Sequence, residues 1–371
     1  MRLGLIIYGS LKQNSGGYLY DRTLVTHLRQ QGHQVKLIPL PWRSSLAHLA
    51  DNFSTPLISK IKTLHLDILL QDELNHPSLF LLNRRLKAQL SVPIISIVHH
   101  LRSSEEHPVL LKSIYGAMER RYLNSVDGFI FNSKTTRDVV TSLLDHAKPG
   151  VVALPGGDRL APQITLAEIR QRARQSGPLR VLFLGNLIHR KAPQLLLEAA
   201  AVLPPGSVQL TFAGGARSEP GYAAFLKKLV KQYGLGSQVE FCGHLADKEL
   251  RARMRSSQVL AVPSSYEGFG IAYVEGMGFG LPAIGTRAGA APELIRPGRT
   301  GYLIDGGNAR QLALILERLN ADRALLARLG VAARKQWAKH PTWEQSMAGI
   351  EEFLSSYNHA TSCFAYRWRK Q

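Results

Sequence analysis

The sequence predicts an α/β protein in which two doubly wound, Rossmann-like domains follow one another, each built around a parallel sheet. The chain has 371 residues, more than a single hydrophobic core usually organises. Short apolar runs alternate along it with helix-length amphipathic segments, which is the pattern of βαβ units. The alternation occurs twice, on either side of a Gly- and Pro-rich stretch at 155–180. We therefore expect domains at 1–160 and 175–340.

The first series opens with a strand at 3–8, a Gly/Ser/Asn-rich loop at 9–17 and a helix at 18–31. Further apolar runs predict parallel strands at 34–38, 65–70, 93–98, 128–131 and 151–154. The second series predicts strands at 179–185, 208–214, 238–243 and 258–263, with helices at 193–202, 219–233 and 246–255. Helical patterns follow at 309–339 and, separately punctuated, at 342–357.

Composition narrows the class of protein. With 45% apolar and 20% charged residues, the chain is neither disordered nor fibrous. Cys242 and Cys363 lie too far apart for a zinc motif or a disulfide framework, which indicates a reducing compartment. The apolar run at the amino terminus is too short for a signal peptide or a membrane span, so we expect a cytoplasmic protein. The net charge of +19 favours a polyanionic partner: nucleic acid, a phosphorylated ligand or an anionic membrane surface.

Two glutamates in YEGFGIAYVE (266–275) form the main candidate site. The glycines around Glu267 predict a loop, and a helix that begins near Ile271 would carry Glu275 in its second turn. Both carboxylates can then face one cleft. The backbone N–H groups of Phe269, Gly270 and Ile271 would lie at the amino end of that helix, which favours anionic or polar ligand groups. The alternative is a capping carboxylate and an ordinary surface glutamate.

Two further candidates follow predicted strands of the first domain. His99 and His100 come directly after the strand at 93–98, and the carboxyl ends of parallel strands are the usual place for functional residues. Gly16 and Gly17 follow the first strand and allow close approach of the backbone to a ligand. A strand-end histidine bonded to the backbone and a glycine pair in an ordinary turn are the alternatives.

The span PSSYEGFGIAYVEGMGFGLPAIGTRAGAAPELIRPGRTGYLI (263–304) resembles the signature region of the retaining glycosyltransferases of family 4. Members of that family have a Glu, seven residues and a second Glu, here Glu267 and Glu275, followed by a Gly-rich loop and a further Glu, here Glu293. The resemblance extends more weakly over nearly the whole chain. It implies the GT-B fold, in which two Rossmann-like domains face a central cleft, and a terminal helix, here 342–357, that crosses back onto the first domain.

The resemblance also implies roles for single residues. Glu267 and the amides of 269–271 would hold the donor sugar near its anomeric carbon, and Glu275 would accept hydrogen bonds from the ribose hydroxyls. In LGNLIHRKAPQLLLEA (184–199), Lys191 matches a lysine that clamps the diphosphate. Asn186 stands where the family has an arginine, and Arg190 is the candidate replacement.

Other family positions map onto loops. His99 matches a histidine used near the donor sugar, and His100 stands where an acid is common, which leaves open which imidazole faces the cleft. Gly16 and Gly17 match the amino-terminal ligand loop. His244 and Leu245 would contact the base through their main chain, and Asp247 is a candidate cap for the helix that follows.

The implied activity is metal-independent, retaining transfer of a hexosyl group from a nucleoside-diphosphate sugar to a hydroxyl acceptor, which could be lipid-linked, a polysaccharide or a small glycoside. No cofactor or metal is expected, since no Asp-x-Asp pair occurs at a strand end. Retention can proceed by double displacement with Glu267 as nucleophile or by front-face attack, which we favour. A GT-B-like phosphorylase or a sugar-nucleotide epimerase is the alternative among enzymes.

A basic nucleic-acid-binding protein is the alternative outside enzymes. Apolar strands and Gly-rich loops fit a small-ligand cleft better than a nucleic-acid surface, so no nucleic-acid partner is expected. The segment 42–87 combines Leu57, Ile58 and Ile61 with Lys60, Lys62, Arg84, Arg85 and Lys87. We interpret it as a basic amphipathic surface for anionic lipid, with a solvated helix face as the alternative.

Overall fold

The structure is a computed structural model that describes residues 1–43, 45–72 and 79–368. The chain forms two compact units. The first comprises Met1–Pro155 together with the residues from Trp343 onward, and the second comprises Gly156–Thr342. Residues 156–174 therefore belong to the second unit, whereas the sequence pattern assigned them to the first domain or to a linker. They do so because the helix at Leu166–Ala173 packs on a helix of the second unit, Arg323–Trp337.

The first unit is a parallel sheet with helices between its strands. The strands are β1 (Arg2–Tyr8), β2 (Gln34–Leu40), β3 (Ile68–Asp72), β4 (Ile94–Val98), β5 (Gly128–Phe131) and β6 (Gly150–Val152). The helices are α1 (Gly16–Gln30), α2 (Ser45–Leu49), α3 (Thr55–Thr63), α4 (Phe80–Lys87), α5 (Val109–Ser125), α6 (Lys134–Leu143) and the carboxyl-terminal α15 (Trp343–Trp368). Apolar residues of the strands form the core together with the inner faces of these helices.

The strand order of the first sheet is β2-β1-β3-β4-β5-β6. The chain runs from β1 to β2 on one side and then returns to β3 on the other side, so the topological switch point lies between β1 and β3. Tyr8 and Asp72 are the last residues of these two strands. In doubly wound sheets, ligands bind at the carboxyl ends of the strands at this point.

Helix α15 packs on α1 within the first unit. The rings of His27 and His33 both contact the carboxylate of Glu351, with nitrogen–oxygen distances of 3.0 and 2.9 Å. The Ser346 hydroxyl donates a hydrogen bond to the carbonyl of Leu154 at 2.6 Å. These polar contacts tie α15 to α1, to the turn after α1 and to the segment after β6.

The second unit repeats the architecture with the strands β7 (Leu179–Leu184), β8 (Val208–Ala213), β9 (Val239–Gly243), β10 (Val259–Ala261), β11 (Ala283–Thr286) and β12 (Gly301–Ile304). Its helices are α7 (Leu166–Ala173), α8 (Gln194–Ala201), α9 (Pro220–Gln232), α10 (Asp247–Ser256), α11 (Ile271–Gly278), α12 (Ala291–Leu294), α13 (Ala309–Ala321) and α14 (Arg323–Trp337). The strand order β12-β11-β10-β7-β8-β9 is that of a Rossmann sheet, with its switch point between β7 and β10. The sequence pattern did not assign residues to β11 and β12.

In the expected lipid-binding surface at 42–87, the three apolar residues named on α3 do not face solvent. Leu57, Ile58 and Ile61 are buried in the core of the first unit, whereas Lys60 and Lys62 of the same helix are exposed. The helix turns its apolar face toward its own sheet, because that burial stabilises the unit. The prediction that Leu57, Ile58 and Ile61 form the apolar part of a lipid-binding surface was therefore wrong. Within the described residues, no helix has both the length and the apolar character needed to cross a membrane.

Candidate functional site

The loops after β7 and β10 meet at the switch point of the second unit. After β7 the chain forms a short 3₁₀ turn at His189–Lys191, and after β10 it runs through Ser264 and Ser265 to Glu267. The N–H of Ser265 donates to the carbonyl of Arg190 at 2.8 Å, which ties the two loops together. Sequence-predicted residues from separate segments are thus brought side by side.

Glu267 is the centre of this cluster and is only 7% exposed. Its Oε1 accepts hydrogen bonds from Lys191 Nζ and from Ser264 Oγ, both at 2.6 Å. A nitrogen of the Arg190 guanidinium lies 3.9 Å from the same oxygen and donates to the carbonyl of Tyr266 at 2.6 Å. Burial alone would raise the pKa of Glu267, but Lys191 and Arg190 outweigh it and lower that pKa to about 2. Glu267 is therefore a carboxylate.

Two glycines shape the backbone around Glu267. Its carbonyl accepts from the N–H of Ala290 at 2.8 Å, and a Cβ on Gly289 would lie 2.1 Å from that carbonyl oxygen. Gly270 has φ of 95° and is the N-cap of α11, where a Cβ would meet the Tyr273 ring. Both positions require glycine, since a side chain would force the loops apart.

Helix α11 begins at Ile271, as the sequence predicted. Phe269 is buried before it, with its ring 5.9 Å from that of His340. Glu275 lies in the second turn and is 4% exposed. The Nε–H of Arg159 donates to Oε1 of Glu275 at 2.7 Å. Burial raises the pKa of Glu275 despite the opposing charge of Arg159.

Arg159 is a site residue that the sequence did not reveal. It lies in the coil before α7 and also donates to Asp247, the first residue of α10. An isolated arginine in a Gly- and Pro-rich stretch carries no sequence signal for a partner 116 positions away. Asp247 is not the cap of α10 but its first residue: the N-cap is Ala246, which has extended backbone and whose N–H donates to Oε2 of Glu249 at 3.1 Å.

Asn186 lies half-buried just after β7. The loop after β8 packs directly on this segment: the N–H of Leu187 donates to the carbonyl of Gly215 at 2.9 Å, and a Cβ on Gly214 would lie 1.8 Å from the carbonyl oxygen of Gly185. Asn186 contributes no charge here. The charges near Glu267 come from Lys191 and Arg190, and Arg190 is directed toward Glu267.

His244 and Leu245 follow β9 on the neighbouring loop, His244 exposed and Leu245 half-buried. The carbonyl of Gly243 accepts from the N–H of Gly214 at 2.7 Å. The loops after β8 and β9 are therefore continuous at this edge of the sheet, where the sequence placed the contacts to the base.

His99 follows β4 in the first unit and is 6% exposed. A Cβ on Gly17 would lie 3.1 Å from His99 Cδ2, so the predicted glycine loop and the predicted histidine are in contact. Nε2 of His99 lies 3.2 Å from Oδ1 of Asp21 and 3.6 Å from Oδ2 of Asp72. Gly16 is the exposed first residue of α1, after the N-cap Ser15.

His100 turns away from this cluster. Its Nε2 lies 2.9 Å from Oε1 of Glu105, in the loop before α5. Of the two imidazoles, His99 is therefore the one that packs on the glycine loop. Asp21 and Asp72 were not predicted, although the position of Asp72 at the last residue of β3, beside the switch point, was a usable signal.

Within the part of the chain that the structure describes, one group of acids and histidines has ligand atoms close enough to hold a metal ion. It consists of Asp21, Asp72 and His99, whose ligand atoms lie within 4.8 Å of one another. Oδ2 of Asp21 is buried without a hydrogen-bond partner. A buried carboxylate oxygen of this kind can accept a hydrogen bond from a ligand hydroxyl.

Two family models match the chain, one for most of each unit. The model of the glycosyl transferases group 1 matches residues 166–336, and that of Glycosyltransferase Family 4 matches residues 19–157. The chain belongs to the family 4, group 1 glycosyltransferases. Residues Lys191, Glu267 and Glu275 lie within the first match, and His99 lies within the second.

Two curated relatives of this chain have the names of glycosyltransferases. It is 29% identical over 65% of its length to a GDP-mannose-dependent alpha-(1-6)-phosphatidylinositol monomannoside mannosyltransferase from Mycolicibacterium smegmatis. It is 34% identical over 50% of its length to a D-inositol 3-phosphate glycosyltransferase from Rhodococcus opacus. The matches span 65% of the first relative and 42% of the second.

Solved structures share its fold. Sucrose-phosphate synthase from Thermosynechococcus elongatus is 20% identical, with a TM-score of 0.81 over 97% of this chain and 100% of that one. Anabaena HepE in complex with UDP-glucose is 22% identical, with a TM-score of 0.76 over 96% of this chain and 100% of that one. Together with the two parallel six-stranded sheets, these similarities confirm the predicted GT-B fold.

Proposed function

We propose that this glycosyltransferase moves a hexosyl group from a nucleoside-diphosphate sugar to an acceptor hydroxyl with retention of anomeric configuration. One observation carries the proposal: Glu267, Lys191 and Arg190 converge at the switch point of a Rossmann sheet. Such a site offers cations to a diphosphate and a fixed carboxylate to a sugar. A phosphorylase would instead require inorganic phosphate or release a sugar phosphate.

The leaving group is stabilised by the two cations. As the bond between the anomeric carbon and the β-phosphate oxygen breaks, negative charge develops on the diphosphate. Lys191 and Arg190 are the cations proposed to hold that charge. The amides of 269–271, at the start of α11, supply further donors.

Front-face attack is the mechanism that we propose. The acceptor oxygen bonds to the anomeric carbon on the face that the diphosphate leaves, and its proton passes to the departing phosphate oxygen. Glu267 is a poor nucleophile, because one oxygen is held by Lys191 and Ser264 and its pKa is about 2. Its role is then to position the donor sugar. Glu275 is proposed to contact the ribose, and His99, with Gly16 and Gly17 beside it, is proposed as a ligand contact of the first unit.

The donor is tested by transfer assays with a panel of nucleotide sugars. Relatives named for GDP-mannose and a fold neighbour solved with UDP-glucose make these two compounds the first choices. The product's anomeric configuration, read by NMR, should match that of the donor. An inverted product would contradict retention, and a strict need for inorganic phosphate would favour the phosphorylase.

The acceptor is proposed to be a hydroxyl of a lipid-linked or soluble polyol, as the names of the relatives suggest. An anionic membrane surface is the proposed partner for a lipid-linked acceptor. Lys60 and Lys62 are exposed on α3, and Val109 and Leu110 are 84% and 73% exposed at the start of α5. The exposed apolar residues of α5 and the exposed lysines of α3 are each proposed to contact lipid.

Co-sedimentation with vesicles tests the membrane contact. Phosphatidylglycerol-containing vesicles should retain the protein better than pure phosphatidylcholine, and Leu110→Glu should reduce retention. Leu314→Glu, on an exposed leucine of α13, is the control. Equal retention by both lipids would contradict an anionic preference.

We also propose that catalysis needs neither a metal ion nor a cofactor, because Lys191 and Arg190 stabilise the leaving diphosphate. Two cations already stand where a divalent ion would otherwise act. Transfer should keep its rate after dialysis against EDTA. A loss that Mg²⁺, Mn²⁺ or Zn²⁺ restores would contradict the proposal and would direct attention to Asp21, Asp72 and His99.

A further inference from the structure

Arg159 joins two elements of the second unit through one guanidinium. Its Nε–H donates to Oε1 of Glu275 on α11 at 2.7 Å, and its Nη1–H donates to Oδ1 of Asp247 at the start of α10. Its side chain is 24% exposed, whereas that of Glu275 is 4% exposed. A residue outside both helices thus fixes their relative position beside the loop of His244 and Leu245.

Glu275 depends on Arg159 as its counter-ion. Among the described residues, Arg159 is the one cation that forms an ion pair with Glu275. An ionised carboxylate at this depth is strongly disfavoured once its partner is removed. Burial already raises the pKa of Glu275 in the presence of Arg159.

The two oxygens of Glu275 are not equivalent. Oε1 accepts from Arg159, while no described group donates to Oε2. Because Arg159 also holds Asp247, its guanidinium cannot turn freely, and the carboxylate plane of Glu275 is fixed with it. Oε2 is therefore the oxygen left for a ligand donor.

We propose that Arg159 is a positioning residue for the nucleoside of the donor. It holds Glu275 so that Oε2 accepts a hydrogen bond from a ribose hydroxyl. Its bond to Asp247 fixes α10, and with it the preceding loop assigned to the base. This inference rests on the proposed function, in which Glu275 binds the ribose. Arg159 itself is not a phosphate ligand, because its charge is already shared by two carboxylates.

A cycle of variants and ligands tests the role. Binding of UDP and GDP, and of their 2′,3′-dideoxy forms, is measured by calorimetry on the whole protein and on Arg159→Met. The wild type should bind the ribose form of its nucleotide about 10-fold or more tightly than the dideoxy form. That ratio corresponds to the free energy of one hydrogen bond to a charged group. In Arg159→Met that preference should fall to about 2-fold, because the unsupported carboxylate no longer presents Oε2.

Two further variants keep the test specific. Arg255→Ala removes an exposed arginine that pairs with Glu168 in the same unit, and it should leave the preference unchanged. Arg159→Lys keeps the charge but can reach only one carboxylate, so it should show an intermediate preference. It also serves where the methionine variant does not fold.

The outcomes separate the inference from the proposed function. A wild type that binds neither diphosphate, or that binds ribose and dideoxy forms equally, contradicts the donor site or the ribose role of Glu275. The role of Arg159 would be overturned by a different result. In that result the wild type prefers the ribose form, and Arg159→Met (or Arg159→Lys) binds both forms more weakly by the same factor, so that the preference for ribose is retained. A merely structural role predicts that second result.

Discussion

Glu267 and Glu275 have the same residue type, nearly equal burial and neighbouring places in the chain, yet their environments act in opposite directions. Glu267 meets Lys191, Arg190 and the hydroxyl of Ser264, and its pKa falls to about 2. Glu275 meets one arginine whose charge is shared with Asp247, and its pKa rises. Burial is common to both, so the number of unshared cations decides the result.

This difference fits two different tasks. A carboxylate that stays ionised can orient a sugar beside a forming positive charge without changing its state. A carboxylate with one oxygen braced and one open suits recognition of a neutral hydroxyl.

Removing the charge of Glu267 should have the largest effect on catalysis. Glu267→Gln keeps the shape but removes the negative charge that is proposed to orient the donor sugar beside the forming positive charge. We expect the turnover number to fall about 10³-fold, the range for loss of one preorganised electrostatic group, with binding of UDP or GDP nearly unchanged. Steady-state kinetics and calorimetry measure the two effects.

Glu317→Gln, on an exposed glutamate of α13, is the matched control and should behave as the wild type. A Glu267→Gln variant that loses nucleotide affinity as strongly as turnover would place Glu267 on the nucleotide and remove the contrast with Glu275.

The lowered pKa of Glu267 also predicts a pH dependence of stability. Because the pKa is about 2 in the folded state and about 4.5 in the unfolded chain, ionised Glu267 stabilises the fold above pH 4.5. That contribution is lost as the pH falls from 4.5 toward 2. Urea denaturation of the wild type and of Glu267→Gln should differ by about 3 kcal/mol in the free energy of unfolding at pH 7. The difference should shrink at pH 4 and again at pH 3. A gap that is constant with pH would show that the ion pairs carry no net free energy.

Glu275→Gln should act on substrate binding. The amide offers a weaker acceptor to the ribose and a weaker partner to Arg159, so the Michaelis constant for the donor should rise about 10-fold. The turnover number should change less than threefold. Initial rates at saturating acceptor measure both constants. The reverse pattern, with turnover falling and the Michaelis constant unchanged, would refute the ribose role.

The fold and much of the site could be predicted from sequence for a physical reason. Apolar runs and their spacing reveal strands, and the loops after parallel strands are where ligands bind, which marked Glu267 and His99 as candidates. Lys191 became a candidate through the resemblance to the family. What the pattern could not show was contact across the chain. Lys191 meets Glu267 across 76 positions, and Arg159 meets Glu275 across 116, with no local signal for either pair.

The error at α3 has a different origin. The period of apolar residues predicts an amphipathic helix whether its apolar face meets a sheet or a lipid surface. Leu57, Ile58 and Ile61 meet their own core. Composition could not distinguish a helix that packs on its own sheet from one that binds a lipid surface, since both have an exposed basic face.

The smallest expected effect concerns the backbone beside Glu267. Ala192 follows Lys191 and has φ of 46° and ψ of 44°, the left-handed region that disfavours residues with a Cβ. Ala192→Gly should raise the free energy of unfolding by about 1 kcal/mol, the relief of strain less the greater freedom of glycine in the unfolded chain. Turnover should change less than twofold if the turn itself, rather than its strain, places Lys191.

Ala200→Gly is the control of opposite sign. Ala200 is buried within α8 in a helical conformation, so the same change there should lower the free energy of unfolding by about 1 kcal/mol. If both variants destabilise alike in urea denaturation, residue 192 does not occupy the left-handed region. If Ala192→Gly is more stable but loses turnover, the strain itself holds Lys191 against Glu267, and the contrast between the two glutamates then extends to the backbone that carries their partners.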